Sequence, residues 1–234
     1  MTTSMADRWH RVAAQVDAAC ARAKRPPGDV SIVAVSKHQP ASAIAEAMAA
    51  GASCFGENYV QEWSGKRDEL SKASGEIRWH FVGALQRNKA KFIAGEVELV
   101  HSVDSVELGR ELGRRAVARG REQSVLIAVN LAGEASKSGV RADALKEILD
   151  GLRATHGIRV DGLMTMPPPS DDPSSSRKWF RELRELRDAC DDAPSLPFLS
   201  MGMSDDFEVA IEEGATHVRI GTAIFGPRTG GATR

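Results

Sequence analysis

The sequence predicts an α/β fold, a single (β/α)8 barrel of TIM type with an extra N-terminal helix. Three observations carry that prediction. Short apolar runs alternate with helical stretches eight times, at intervals of about 20–30 residues. The clearest of these runs, around Val30–Val35 and Ser124–Asn130, are β-branched and show no polar alternation, as strands buried on both faces of a parallel sheet must. The length, 234 residues, would fit one large domain or two small ones and is near the lower end for such a barrel, and the eight repeats leave no second domain over. Residues 1–234 are therefore expected to form one domain, with a helix over 4–24 and the barrel over about 30–228. A doubly wound open sheet is the alternative, since periodicity alone does not show closure.

The elements follow in order. Met5, Trp9, Val12 and Val16 recur at three- and four-residue spacing, which predicts a helix from Ser4 to about Lys24. Arg25-Pro26-Pro27-Gly28 ends it, because two prolines and a glycine cannot continue a helix. The run Val30–His38 is the first strand, ending at Lys37, and Ala41–Ala50 is an alanine-rich helix closed by Gly51. Strands are then predicted over Ser53–Phe55, Arg78–Val82 and Glu98–Val103. Helices follow them over Val60–Leu70, Gln86–Ile93 and Ser105–Arg119. The second half repeats the pattern, with strands over Ser124–Asn130, Arg159–Met166, Pro197–Met201 and His217–Ile220. Its helices are expected over Ala142–Thr155, from the Ser170–Ser176 loop to Cys190, and over Asp205–Glu213, with a short terminal segment after Gly221-Thr222. The end, Thr229–Arg234, reads as a frayed tail.

Composition narrows the function classes. Apolar residues make up 42% and charged residues 27%, ordinary proportions for a soluble globular protein. Thirty-one basic residues against 32 acidic ones leave no global field for nucleic acid or an anionic membrane. The first residues carry no apolar signal-peptide core, and no run approaches a membrane span. Cys20, Cys54 and Cys190 are odd in number and without metal-ligand spacing, which suits free thiols in a reducing cytosol. A cytoplasmic monomer with no metal is the expectation.

In a barrel the carboxyl ends of all strands surround one mouth, so distant residues become neighbours. Lys37 is the first candidate there. An ammonium group is costly to desolvate, and a lysine with a depressed pKa can form a Schiff base with an aldehyde. The plain alternative is a lysine that leaves the sheet and snorkels into solvent. Phosphate sites built from the loops after strands seven and eight recur in barrels. Here Ser204 is placed to N-cap the helix that follows strand seven, Gly221 allows close backbone approach, and Thr222 adds a hydroxyl. A phosphate grip opposite such a lysine suggests a phosphorylated aldehyde, and pyridoxal 5′-phosphate satisfies both ends. Arg219, two residues before Gly221, would keep a pyridine nitrogen unprotonated, where an aspartate would support a protonated ring as an electron sink. A carboxylate partner lower in the barrel is the other reading of Arg219. Asn58, the Gly83 turn, Asp104, Asn130, Met164 and Ser200 also end or follow strands.

The motifs AVSKHQP, FGENYVQE, WHFVGALQRNKAK, SKSGV, GLMTMPPP and LSMGMSDDFEVAIEEGATHVRIGTAIFG, in this order, resemble the pyridoxal phosphate homeostasis protein family. That family is itself similar to the barrel domain of alanine racemase. The resemblance runs from about Val30 to Arg228. It implies the cofactor held as a Schiff base on Lys37, Arg219 facing the pyridine nitrogen, and Ser204, Gly221 and Thr222 on the phosphate. Ser200, Asn58 and Met164 would line the pocket. Three positions depart from the family pattern: His38 stands where threonine is common, and Ala84 and Arg87 where proline and serine are.

Three functions follow as candidates. The resemblance implies a non-catalytic carrier that binds pyridoxal phosphate and delivers it to apo-enzymes. An amino-acid racemase would need a proton acceptor on each face of the reacting carbon. In alanine racemase the second is a tyrosine from a separate domain of the partner subunit, whereas this chain's one tyrosine, Tyr59, reads as a packing residue. A sugar-phosphate aldolase would also use a lysine and a phosphate grip, without requiring Arg219. The carrier is the favoured reading.

Overall fold

The structure is a computed structural model that describes residues 4–71, 76–134, 138–190 and 193–227. Among these, eight parallel strands close into a barrel in chain order: β1 (Ser31–Val35), β2 (Cys54–Glu57), β3 (Arg78–Phe81), β4 (Leu99–Val103), β5 (Gln123–Ala128), β6 (Ile158–Met164), β7 (Phe198–Ser200) and β8 (His217–Ile220). The closing pair runs from Ser31 opposite His217 to Ala34 opposite Ile220. Closure excludes the open sheet. The strands alternate with helices α1 (Met5–Arg22), α2 (Ala41–Ala49), α3 (Val60–Leu70), α4 (Ala90–Ile93), α5 (Val106–Val117), α6 (Leu145–Arg153), α7 (Arg177–Asp188), α8 (Phe207–Glu212) and α9 (Thr222–Phe225). The predicted tail and the Ser136-Lys137 part of SKSGV lie outside the described residues.

Helix α1 begins where its sequence says it should. Ser4 accepts the Asp7 amide at 3.1 Å while Asp7 accepts the Ser4 amide at 3.2 Å, a reciprocal cap that satisfies two otherwise orphaned donors. Its buried face, Met5, Val12, Val16, Ala19 and Cys20, packs beside α2, α8 and α9. Arg8 donates to the Ile224 carbonyl at 2.7 Å, and Arg25, just past the helix, to the Ala215 carbonyl at 2.7 Å. The extra helix thus straps the outside of the barrel where β8 meets β1. After β3, the predicted helix is a 3₁₀ turn over Arg87–Lys89 followed by the single turn α4.

Pairing of β5 with β6 slips by one residue between Val125 opposite Val160 and Leu126 opposite Gly162. The bulge falls at Asp161, and only glycine fits at 162, since a Cβ there would land on the Phe198 carbonyl. Beyond it Met164 pairs with both Ala128 and Ser200. Branched aliphatics usually fill a barrel interior. In this barrel a column of polar side chains, His80, His101, His217, Ser200 and Arg219, is buried instead.

Candidate functional site

The turn after β1 is held from beneath by charge. Pairing of β1 with β2 stops at Val35 opposite Gly56, so Lys37 stands two residues beyond the strand, not at its end. Ser36 donates its hydroxyl to Glu57 Oε1 at 2.6 Å. Lys66 of α3 reaches up to the Ser36 carbonyl at 2.8 Å, to Glu57 Oε1 at 2.7 Å and to Glu62 Oε2 at 3.1 Å. Glu62 in turn accepts the His38 amide at 2.8 Å and lies 3.2 Å from His38 Nδ1. This clamp holds His38 at φ 63°, a left-handed conformation that costs a non-glycine residue roughly 1–2 kcal/mol. Burial pushes the Glu57 carboxyl up, against the pull of Lys66 and Ser36. The result is a rigid turn that presents a partly buried Lys37 to the mouth of the barrel.

Lys37, Asn58, Ser204, Arg219, Gly221 and Thr222 line one cavity of about 230 Å³ there, together with Gln39, Met166 and Met203. A second chamber of about 250 Å³ shares Val82, Met166 and Arg219 with it and adds Met164, Asn130 and Ser102. Of the three departures from the family pattern, Ala84 lines this second chamber, whereas Arg87 is exposed on the following turn. The Gly83 turn has a packing role: a Cβ on it would come within 2.6 Å of the Asn58 Cα, so only glycine lets the β2 and β3 turns touch. Asp104 lines neither chamber, and burial raises its carboxyl.

Two further sequence expectations need correction. Ser204 does not cap α8, whose N-cap position is Asp206. Asp206 instead accepts the Met203 amide at 2.7 Å and closes a tight turn that swings Ser204 toward the end of β8. There Ser204 Oγ accepts the Ala223 amide at 3.3 Å, in the first turn of α9. Ser204, Gly221 and Thr222 are thereby brought together by tertiary contact. Ser200 does not line the cavity. It is fully buried beneath Arg219, whose Nη1 donates to Ser200 Oγ at 2.7 Å.

Arg219 is the chemical centre of the floor. Its other hydrogen bond runs from Nη2 to the Thr165 carbonyl at 2.9 Å, so both recorded acceptors are neutral. Among the described residues no carboxylate forms a salt bridge with this guanidinium, which speaks against Arg219 as half of an ion pair in the lower barrel. Burial lowers it to about 10, with Asp206 acting in the opposite direction, and it stays protonated near pH 7. A guanidinium has five N–H donors, and those not used on Ser200 and Thr165 are available to an acceptor in the cavity. The Asn58 side-chain oxygen is buried with no hydrogen-bond partner among the described residues, a second polar atom that a ligand could satisfy.

Sequence reasoning missed the Glu57–Lys66–Glu62 clamp and the histidines behind Ser200. The clamp left a faint trace, a glutamate ending an otherwise buried strand and a lysine on the apolar side of the next helix. The histidines left a plainer one, an imidazole inside each of the apolar runs of β3, β4 and β8. Among the described residues there is no cluster that could hold a metal ion and no helix long and apolar enough to cross a membrane.

Fold and site together define a class: a parallel barrel whose mouth sets a lysine after strand one against hydroxyls and glycine after strands seven and eight. Residues 10–229 match the family model of the alanine racemase N-terminal domain. The chain is 44% identical over 224 residues to a pyridoxal phosphate homeostasis protein of Aquifex aeolicus, covering 95% of this chain and 97% of that one. It is 43% identical over 230 residues to one of Pseudomonas aeruginosa, covering 98% of each. The solved structure of PipY from Synechococcus elongatus with PLP bound superposes with a TM-score of 0.81 at 36% identity, covering 95% of this chain and all of that one. The chain belongs to the pyridoxal phosphate homeostasis protein family.

Proposed function

We propose that this protein binds pyridoxal 5′-phosphate at the barrel mouth and holds it, without catalysing a reaction, as a reserve for apo-enzymes that need it. The observation that carries the reading is the convergence of Lys37, Arg219, Ser204, Gly221 and Thr222 on one cavity. The bound PipY relative supports it. Pyridoxal phosphate supplies an aldehyde that an amine can take up reversibly, with loss of water. Lys37 Nζ is the amine, Ser204, Thr222 and the Gly221 backbone hold the phosphate, and Arg219 faces the ring nitrogen from the floor. Asn58 completes the wall, and Met164 lines the adjoining chamber.

Arg219 is also the reason to assign holding in place of turnover. A cation that donates to the ring nitrogen keeps it unprotonated and weakens the ring as an electron sink. A racemase further needs a second acid–base group opposite Lys37. Tyr59 is 48% exposed at the rim, its ring centroid 5.2 Å from that of His38.

Borohydride treatment of the holo-protein should fix one pyridoxyl-phosphate mass on the peptide containing Lys37. Label on another lysine alone would sink the assignment. Lys37→Ala should lose the label and the visible absorption band yet unfold at nearly the wild-type temperature, since a partly exposed turn residue leaves no core cavity. Long incubation with L-alanine should give no appreciable D-alanine, and mixing with an apo-enzyme should restore that enzyme's activity. Sustained racemisation that disappears in Lys37→Ala would replace the carrier reading with that of an enzyme.

A further inference from the structure

Beneath Arg219 a line of hydrogen bonds runs down the barrel. Arg219 Nη1 donates to Ser200 Oγ at 2.7 Å, Ser200 Oγ lies 2.8 Å from His101 Nδ1, and His101 Nε2 lies 2.9 Å from His80 Nδ1. Ser200 and His101 are wholly buried, and His80 is 1% exposed. The far nitrogen, His80 Nε2, is buried without a hydrogen-bond partner among the described residues, and Glu98 Oε1 lies 3.8 Å from it. Glu98 precedes β4 and is half exposed, so the line ends at the opposite face of the barrel from the mouth. The His217 ring flanks the line, with its centroid 5.7 Å from His80 and 5.9 Å from His101, and Nδ1 turned to Thr216 Oγ1 at 3.0 Å.

The donors in this line can be assigned from its two ends. Arginine has no acceptor, so Ser200 must accept from Arg219 and has one proton left to give. Given to His101 Nδ1, it leaves His101 donating from Nε2 to His80 Nδ1, and His80 with an N–H directed toward Glu98. The reverse sense would leave the Ser200 proton without a partner and would aim a bare, buried His80 nitrogen at a carboxylate. Both are costly in a site closed to water. A cation at the mouth and a carboxylate at the base therefore set one direction for every donor between them. Burial, His80, His217 and Arg219 all lower the His101 imidazole, in keeping with the neutral ring this order needs.

We propose that His101 is a positioning residue for the ligand contact of Arg219: it accepts the Ser200 proton, which fixes Ser200 as the acceptor that aims the guanidinium at the cavity. His80 supports it by holding His101 in the required tautomer. The inference rests on the reading that pyridoxal phosphate occupies the cavity with its ring nitrogen toward Arg219. It goes beyond that reading by giving Ser200 and two histidines outside the cavity a part in ligand selection.

The test compares pyridoxal phosphate with its deaza analogue, which carries a C–H in place of the ring nitrogen. Affinities are measured by titrating apo-protein and following the visible band, and urea unfolding is followed alongside. His101→Phe should weaken pyridoxal phosphate roughly threefold to tenfold, the scale of one neutral hydrogen bond, and leave the deaza analogue nearly unchanged. His101→Asn, whose Oδ1 can stand in for Nδ1, should recover most of the loss and serves as the test variant if the phenylalanine does not fold. Equal weakening of both ligands, or none with either, in folded His101→Phe would overturn the positioning role while leaving the cavity as the binding site. Wild-type protein that takes up neither ligand would overturn the binding reading itself, and this inference with it.

Discussion

Ser204 shows how one hydroxyl can serve two purposes. Its oxygen accepts the Ala223 amide at 3.3 Å, a long bond that leaves lone-pair capacity and the hydroxyl proton for the cavity. Losing a hydrogen bond to a charged group costs about 1.5–3 kcal/mol, or roughly one to two decades of affinity. Ser204→Ala should therefore weaken pyridoxal phosphate by about that much and unphosphorylated pyridoxal far less, as read by titrating the visible band. Equal loss for both would mean that Ser204 only supports the start of α9. His38 makes a different point. A left-handed histidine beside Lys37 is tolerable because Glu62 takes both its amide and its ring nitrogen. Strain at that turn is offset by charge from α3.

At the scale of elements, α5 and α6 approach closely because α5 offers glycines. Gly109 and Gly113 are four residues apart on one helical face. A Cβ on Gly109 would run into the Leu152 side chain, and one on Gly113 would land on the His156 carbonyl oxygen. Propensity alone would favour alanine in a helix by about 0.8–1 kcal/mol. Packing reverses the sign here, because a backbone carbonyl cannot rotate away as a side chain can. Gly113→Ala should destabilise the protein by about 1–3 kcal/mol, seen as a lower urea midpoint with an unchanged slope. A stabilised variant would show that the α5–α6 contact yields easily. Helix α7 is joined to the end of α8 by a different means. The Glu213 carboxylate, nearly buried, accepts from Arg177 and Arg181 at 3.0 Å each and lies 3.1 Å from Arg184. Burial raises that carboxyl, but the hydrogen bonds from Arg181 and Arg177 outweigh it and leave Glu213 below the usual carboxylate range.

At the scale of the whole molecule, two imidazoles buried inside the barrel, His101 and His217, resist protonation, and that shapes its response to acid. Burial lowers His217 to about 3 from 6.5, with His80, Arg78 and Arg219 adding to the shift and Glu98 opposing it. His101 moves in the same direction. Between pH 6.5 and about 3 the unfolded chain binds a proton at His217 that the folded barrel refuses, so stability must fall as pH falls through that window. The loss from this one group should reach on the order of 2–3 kcal/mol by pH 4. Urea midpoints measured from pH 7 to pH 4 should decline, and His217→Gln should decline less steeply. A flat wild-type profile would mean that the buried rings take up protons without penalty.

Much of this protein is written locally. The capping serine and the three- and four-residue spacing of α1, the unbroken apolar strands, and the glycines and prolines between elements are properties of neighbouring residues, and they determine the order of strands and helices. The placing of Lys37, Asn58, Arg219, Gly221 and Thr222 at one mouth also follows from sequence, because in a barrel every strand end faces the same way. What required the tertiary structure is every contact made across strands. Closure depends on β8 meeting β1, which no local pattern encodes. Ser204 reads as the cap of its own helix because its nearest free amides in sequence are there, yet the Met203–Asp206 turn delivers it to α9. Ser200 reads as a pocket residue from its place at a strand end, and the depth of Arg219 puts it underneath. The clamp on the Lys37 turn and the histidine line leave only single out-of-place residues in the sequence, and nothing there joins them, since their members come from different strands and helices. Hydrogen bonds between buried polar groups depend on distance and direction in space, and only the closed barrel sets those.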